Sequence, residues 1–124
     1  MLASLGLFVF ELPSLAFDEL QRRRDWRHEE AKRVGARSAL QFTGPGEDTI
    51  SLTGMLVPGL TGTFASLDTL VEMADAGENH SFVDGNGAVW GEFAIVALDL
   101  RRKHIMDDGV PRLTDFAIDL KRAR

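Results

Sequence analysis

Three groups of residues in this 124-residue chain have the types that could do chemistry. The stretch from Asp84 to Gly91, DGNGAVWG, opens like a calcium loop, with a carboxylate at its first position and the amide of Asn86 at its third. Its fifth position is Ala88 and its twelfth Ile95, neither of which can ligate, so the stretch reads as a tight turn. His28, His80 and His104 lie far apart without His-x-His or Glu-x-x-His spacing, and read as solvated or interface histidines rather than a zinc set. Arg22, Arg23, Arg24, Trp26 and Arg27 combine cations with an aromatic ring, as nucleic-acid contacts do. The interleaved Asp18, Glu19, Asp25, Glu29 and Glu30 oppose phosphate binding, which favours a solvated or subunit-facing strand. Arg101, Arg102 and Lys103 are read the same way. No Gly-x-Ser-x-Gly elbow, phosphate loop or dinucleotide fingerprint is present, so no catalytic, cofactor-binding or metal residue is expected.

The elements that would position these residues follow from periodicity. Residues 41–54 are expected to form a β-hairpin turned by Gly44-Pro45-Gly46, with Leu40, Phe42, Ile50, Leu52 and Leu56 on one face and Thr49, Ser51 and Thr53 on the other. The apolar start, MLASLGLFVFEL, lacks a basic leader and a cleavage site and is too short to span a bilayer. It reads as one strand buried on both faces. Residues 15–37 fit neither period cleanly. A helix is expected from about Ser66 to Ala76, with Leu67, Leu70, Val71 and Ala74 as its stripe, Thr63 or Ser66 as cap, and Gly77 ending it. Ser81 to Lys103 reads as a hairpin turning at Asp84–Gly87, with a central strand at 93–98. A turn at Asp107-Asp108-Gly109 precedes a last strand with Phe116, Ile118 and Leu120 inward and Asp115, Asp119 and Lys121 outward.

Composition bounds the rest. One domain, 1–124, is large enough to bury a core without staples, and there is no cysteine to supply any. Net charge is −5, and every Lys and Arg lies outside residues 38–100, which hold nine carboxylates. That asymmetry fits either surfaces of opposite sign or charges interleaved by folding. The residues alone support a small, sheet-rich α+β domain with one packed helix, whose two-sided apolar strands need cover from other subunits.

The stretch QFTGPGEDTISLTGMLVP at 41–58, preceded by RVGARSAL, resembles the signature of the tail protein U (GpU) family of contractile-tailed phages and prophages. LGLFVFEL, LQRRRDWR, MADAG, DGVPR and FAIDLKR extend the similarity over nearly the whole chain in order. The resemblance tips residues 15–37 towards a long charged strand with Trp26 as its apolar anchor. It implies a tail-tube-like fold, small antiparallel sheets in a sandwich or partly open barrel with one flanking helix. It also implies a structural, non-enzymatic part of the virion tail, assembled in the host cytoplasm. The expected partners are further copies in a sixfold ring, the tail tube protein and baseplate hub proteins, with the tube–baseplate junction favoured. No membrane and no stable nucleic-acid binding are expected, although DNA would pass through the ring. Within such a ring, Arg22, Arg23, Arg24, Trp26, Arg27, Arg101, Arg102 and Lys103 are expected at subunit contacts, with Glu47, Asp48, Asp84 and Glu92 on the channel wall. An assembly factor absent from the finished tail, or a nucleic-acid-binding module, is the alternative.

Overall fold

A computed structural model describes residues 2–11, 17–31, 35, 37, 39–57, 64–105 and 111–123. The strands are β1 (Ala3–Leu5), β2 (Phe8–Phe10), β3 (Glu19–Ala31), β4 (Ala39–Leu56), β5 (His80–Asp84), β6 (Val89–Ile105) and β7 (Pro111–Arg122), with one helix, α1 (Phe64–Asp75), between β4 and β5. They form one antiparallel sheet in the order β2-β1-β5-β6-β7-β4-β3. The architecture is the expected α+β type, an open, curled sheet flanked by a helix.

Alternation builds the core. In β7, Thr114, Phe116, Ile118 and Leu120 are buried while Leu113, Asp115, Ala117 and Asp119 are partly exposed, because successive strand residues face opposite sides. Cross-strand register carries the inward set through the sheet: Leu120 faces Ile50, Ile118 faces Leu52 and Leu98, and Leu20 faces Leu52. Phe82 and Phe93 continue it at 6.1 Å between ring centroids, in an edge-to-face arrangement. Burying each such Leu, Ile or Phe contributes roughly 1.5–3 kcal/mol. α1 closes the floor with Leu67 and Leu70, and Gly77 follows it at φ 68°, the left-handed turn expected there. Of the two expected caps, Ser66 lies inside the helix and Thr63 outside the described residues.

The sheet curls far enough for its ends to meet around this core. Phe10 of β2, one edge, touches Phe17, just before β3 at the other edge, at 5.6 Å between centroids. Arg22 of β3 likewise reaches the ring of Trp90 on β6, although β7 and β4 stand between them in the sheet.

The structure corrects two expectations. The apolar start is not one strand: Gly6, at φ 60°, and Leu7 reverse it into the β1–β2 hairpin, whose Ala3, Leu5, Phe8 and Phe10 all face the core. Nor is Gly44-Pro45-Gly46 a turn. It lies inside the 18-residue strand β4, whose hairpin partner is β3, so the chain reverses between Ala31 and Ala39 instead. Leu40 and Phe42 consequently share no core face with Ile50, Leu52 and Leu56 and stay exposed. The Ser81 to Lys103 hairpin forms as expected, with β6 in the middle of the sheet; the turn expected at 107–109 lies outside the described residues.

Candidate assembly surface

β4 pairs with β7 only from Thr49 to Leu56, whereas β3 pairs with β4 along its whole length. The segment from Arg24 to Ala31, with its partners Ala39 to Asp48, is therefore a two-stranded arm continuing past the body of the sheet. At about 3.3 Å per residue it extends roughly 25 Å. It carries the largest exposed apolar groups of its strands, with Trp26, Leu40 and Phe42 at 53%, 71% and 59% of full exposure. His28 packs on Phe42 at 5.4 Å, and Glu30 lies opposite Leu40 on the same face.

A ribbon of two strands has no core of its own and needs anchoring. Gly-Pro-Gly and the Glu47-Asp48 pair supply the anchor. The β3–β4 register shifts between Arg24 and Trp26 and again between Arg27 and His28, and Pro45, which has no N–H to give a ladder, sits opposite Trp26 between the shifts. The Glu47 N–H donates to Asp25 Oδ1 at 2.6 Å across this bulge. A Cβ at Gly46 would run into that same oxygen, so a larger residue there must displace the Asp25 carboxylate.

Asp48 sits directly below, 7% exposed, facing the core side between Arg22, Arg24 and Arg122. Arg22 donates through Nε at 2.9 Å and Nη2 at 2.6 Å, a bidentate grip, and Arg122 Nη1 lies at 3.4 Å. The hydrogen bonds from Arg22 hold the Asp48 carboxyl below the ordinary carboxylate range, against the burial that pushes it up; the Arg22 guanidinium is raised in turn. Arg22 also stacks over Trp90 at 4.5 Å, and Trp90 Nε1 donates to Asp84 Oδ2 at 2.9 Å. Asp84 Oδ1 accepts the backbone N–H groups of Asn86 and Ala88, which with the Trp90 bond keep its carboxyl low. A continuous polar network thus runs from the β5–β6 turn to the root of the arm.

Of the residues singled out by sequence, the structure brings Arg22, Arg24, Asp48 and Asp84 into or beside this network. Arg24 lies over the Trp26 ring at 5.5 Å, and Trp26, expected as the apolar anchor of β3, is half exposed while Leu20 does the packing. Arg23 and Arg27 are exposed on β3, Glu47 pairs with Lys121 at 3.0 Å, and Glu92 is partly exposed on β6. Arg101 and Arg102 lie apart, opposite Asp115 and Thr114 towards the far end of β6; Lys103 follows them there, its side chain outside the description. Arg122 and the packing of Trp90 under Arg22 were missed, because nothing local marks a C-terminal arginine as the partner of Asp48, 74 positions away, or a tryptophan after a turn as the partner of an arginine far upstream. Among the described residues no three of His, Asp and Glu are grouped to hold a metal, and no helix is long and apolar enough to cross a membrane.

The model of the phage P2 GpU family matches residues 6–124. The chain belongs to this family of contractile-tail proteins, whose role is structural. Curated proteins give no sequence match. Among solved structures, the chain is similar to one from the anti-feeding prophage cap, the AFP tube terminating cap, at TM-score 0.56 and 12% identity, over 99% of this chain and 83% of the other. It is also similar to a chain of the PVC sheath–tube complex in its extended state, an extracellular contractile injection system, at TM-score 0.58 and 14% identity, over 99% and 84%. At such identities the likeness concerns the fold, and it spans the whole of it.

Proposed function

We propose that this GpU-family chain is a structural subunit of a contractile tail that forms a ring at the terminating end of the tail tube. The single observation that carries the position is whole-length similarity in fold to the tube terminating cap of the anti-feeding prophage. It favours the terminating end over the baseplate junction that the sequence resemblance alone suggested. A sixfold ring, with tube subunits beneath and an open lumen for DNA, is part of the same reading. The projecting arm, with its exposed Trp26, Leu40 and Phe42, suits a subunit that must meet neighbours on assembly.

Labelling the protein in purified tails tests this. Gold label at the end of the tube away from the baseplate, together with tubes of uncontrolled length when the protein is missing, is the expected outcome. Label at the baseplate returns the position to the junction, and absence from finished tails makes the protein an assembly factor.

A further inference from the structure

At the root of the arm, Arg24, Trp26, Pro45, Asp48 and Arg122 border a groove of about 470 Å³. Arg24 faces Asp48 from β3 and Arg122 reaches the same carboxylate from β7, so the two cations flank it in a row across three strands, roughly 10 Å apart at two strand spacings. Asp48 is already gripped bidentately by Arg22, and Arg24 Nε stays 3.8 Å from it, beyond hydrogen-bond distance. The guanidinium of Arg24 thus makes no hydrogen bond among the described residues and lies half exposed beside the indole of Trp26. The other acids at the groove are engaged elsewhere: Asp25 accepts the Glu47 N–H, and Glu47 pairs with Lys121.

The matching charge lies on α1. Asp68, Glu72 and Asp75 recur at i, i+4 and i+7 and make one exposed stripe, with Val71, 41% exposed, alongside it. The helix carries no Lys or Arg, and no ion pair engages these three carboxylates among the described residues. At 1.5 Å per residue Asp68 and Asp75 stand about 10.5 Å apart along the axis, close to the separation of Arg24 and Arg122.

We infer that α1 of one copy lies across this groove on a second copy, with Asp68 and Asp75 over Arg24 and Arg122 and Val71 against Trp26. The two surfaces cannot meet within one chain. α1 turns Leu67 and Leu70 towards the core and its carboxylates away from it, whereas the groove opens on the core side of the sheet, the side on which Arg22 packs over Trp90. An arm of roughly 25 Å has room for a helix about 10–12 Å across over its root. Charge of opposite sign around an exposed tryptophan gives such a contact its register and its anchor. Helix and groove are different patches, so the contact is head-to-tail, the kind that closes into a ring when the rotation permits. The grip of Arg22 on Asp48 leaves Arg24 its charge for the neighbour.

The choice of a second copy rests on the ring proposed above, and the experiment separates the two. The chain has no cysteine, so single cysteines report cleanly. Trp26→Cys and Val71→Cys, both at exposed positions, are purified separately, mixed and oxidised. The expected result is a covalent dimer in the mixture and in neither variant alone. Adding Arg24→Glu to the Trp26→Cys chain should abolish it, and either Asp68→Arg or Asp75→Arg in the Val71→Cys chain should then restore it. With Arg24 intact, Asp68→Arg and Asp75→Arg together in the Val71→Cys chain should abolish it equally; they sit on a helix that takes no part in the Asp48 network, so this loss does not depend on the arm's stability. A mixture that yields no dimer overturns the inference, as does a dimer from either variant alone or a cross-link indifferent to these charge reversals. If the wild-type protein is still found at the terminating end of tails in that case, only the docking falls and the tail position stands.

Discussion

The two halves of β4 follow the same alternation and meet opposite fates. From Thr49 to Leu56 the strand lies between β3 and β7, and Ile50, Leu52, Gly54 and Leu56 are buried. From Ala39 to Asp48 it has only β3 beside it, and Leu40 and Phe42 stay in water. An apolar residue on one face of a strand is buried only if something covers that face, and here the cover ends with β7. Apolar alternation therefore marks a core in one half and a contact surface in the other. The Gly-Pro-Gly bulge and the Asp48 network form the boundary between them.

Substitutions on either side of that boundary should separate stability from assembly. Phe116→Asp puts an unpaired carboxylate into the body, at a cost of several kcal/mol against a typical total of about 5–15. The variant should be unfolded or aggregated by circular dichroism; a soluble protein with the wild-type melting curve would show that the body tolerates charge as the arm does. At the boundary, Asp48→Asn removes the charge that three arginines share and should cost about 2–3 kcal/mol, less than loss of the core because the site is partly hydrated. Its carboxyl titrates lower in the folded than in the unfolded chain, so its contribution is fully present above the unfolded value and is lost as pH falls through the folded one. Chemical denaturation from pH 6 down to pH 2, flanking ordinary carboxylate values near about 4, should therefore show a steeper loss of stability in the wild type than in Asp48→Asn; parallel profiles would remove Asp48 from the boundary.

Gly46→Ala should cost about 1–2 kcal/mol, because its Cβ displaces the Asp25 carboxylate from the Glu47 N–H. More telling is assembly, which should fall further than the melting temperature does if the bulge aims the arm. Equal, small losses in both would mean that it does not. Smallest in stability is Phe42→Ser, expected within about 0.5 kcal/mol of wild type, as for other exposed sites. Tail incorporation should nonetheless drop, and normal incorporation would leave the exposed half of β4 without a role.

Much of this was legible from short-range pattern. The inward face of β7, the β5–β6 turn at Asp84, the stripe of α1 and its end at Gly77 each depend on residues a few positions apart, where steric preference and periodicity act directly. What could not be read was pairing over long separations. Gly44-Pro45-Gly46 has the conformational freedom for a turn and equally for a bulge, and only the presence of β3 alongside, where Trp26 and Arg27 lie opposite Pro45 and Gly44 from 19 and 17 residues upstream, selects the bulge. Likewise, the absence of Lys and Arg from residues 38–100 is a true feature of the chain, but it did not leave Asp48 unpaired, because curling of the sheet delivers arginines to it from both flanking segments.

By itself, the sequence determined which residues are apolar on alternate positions, where the chain can reverse tightly, and the family signature spread along its length. Only the tertiary structure decided which of those alternating faces is core and which is surface. Burial belongs to the sheet: Leu52 and Phe42 have the same kind of sequence neighbourhood, and they differ because β7 runs beside one and stops short of the other.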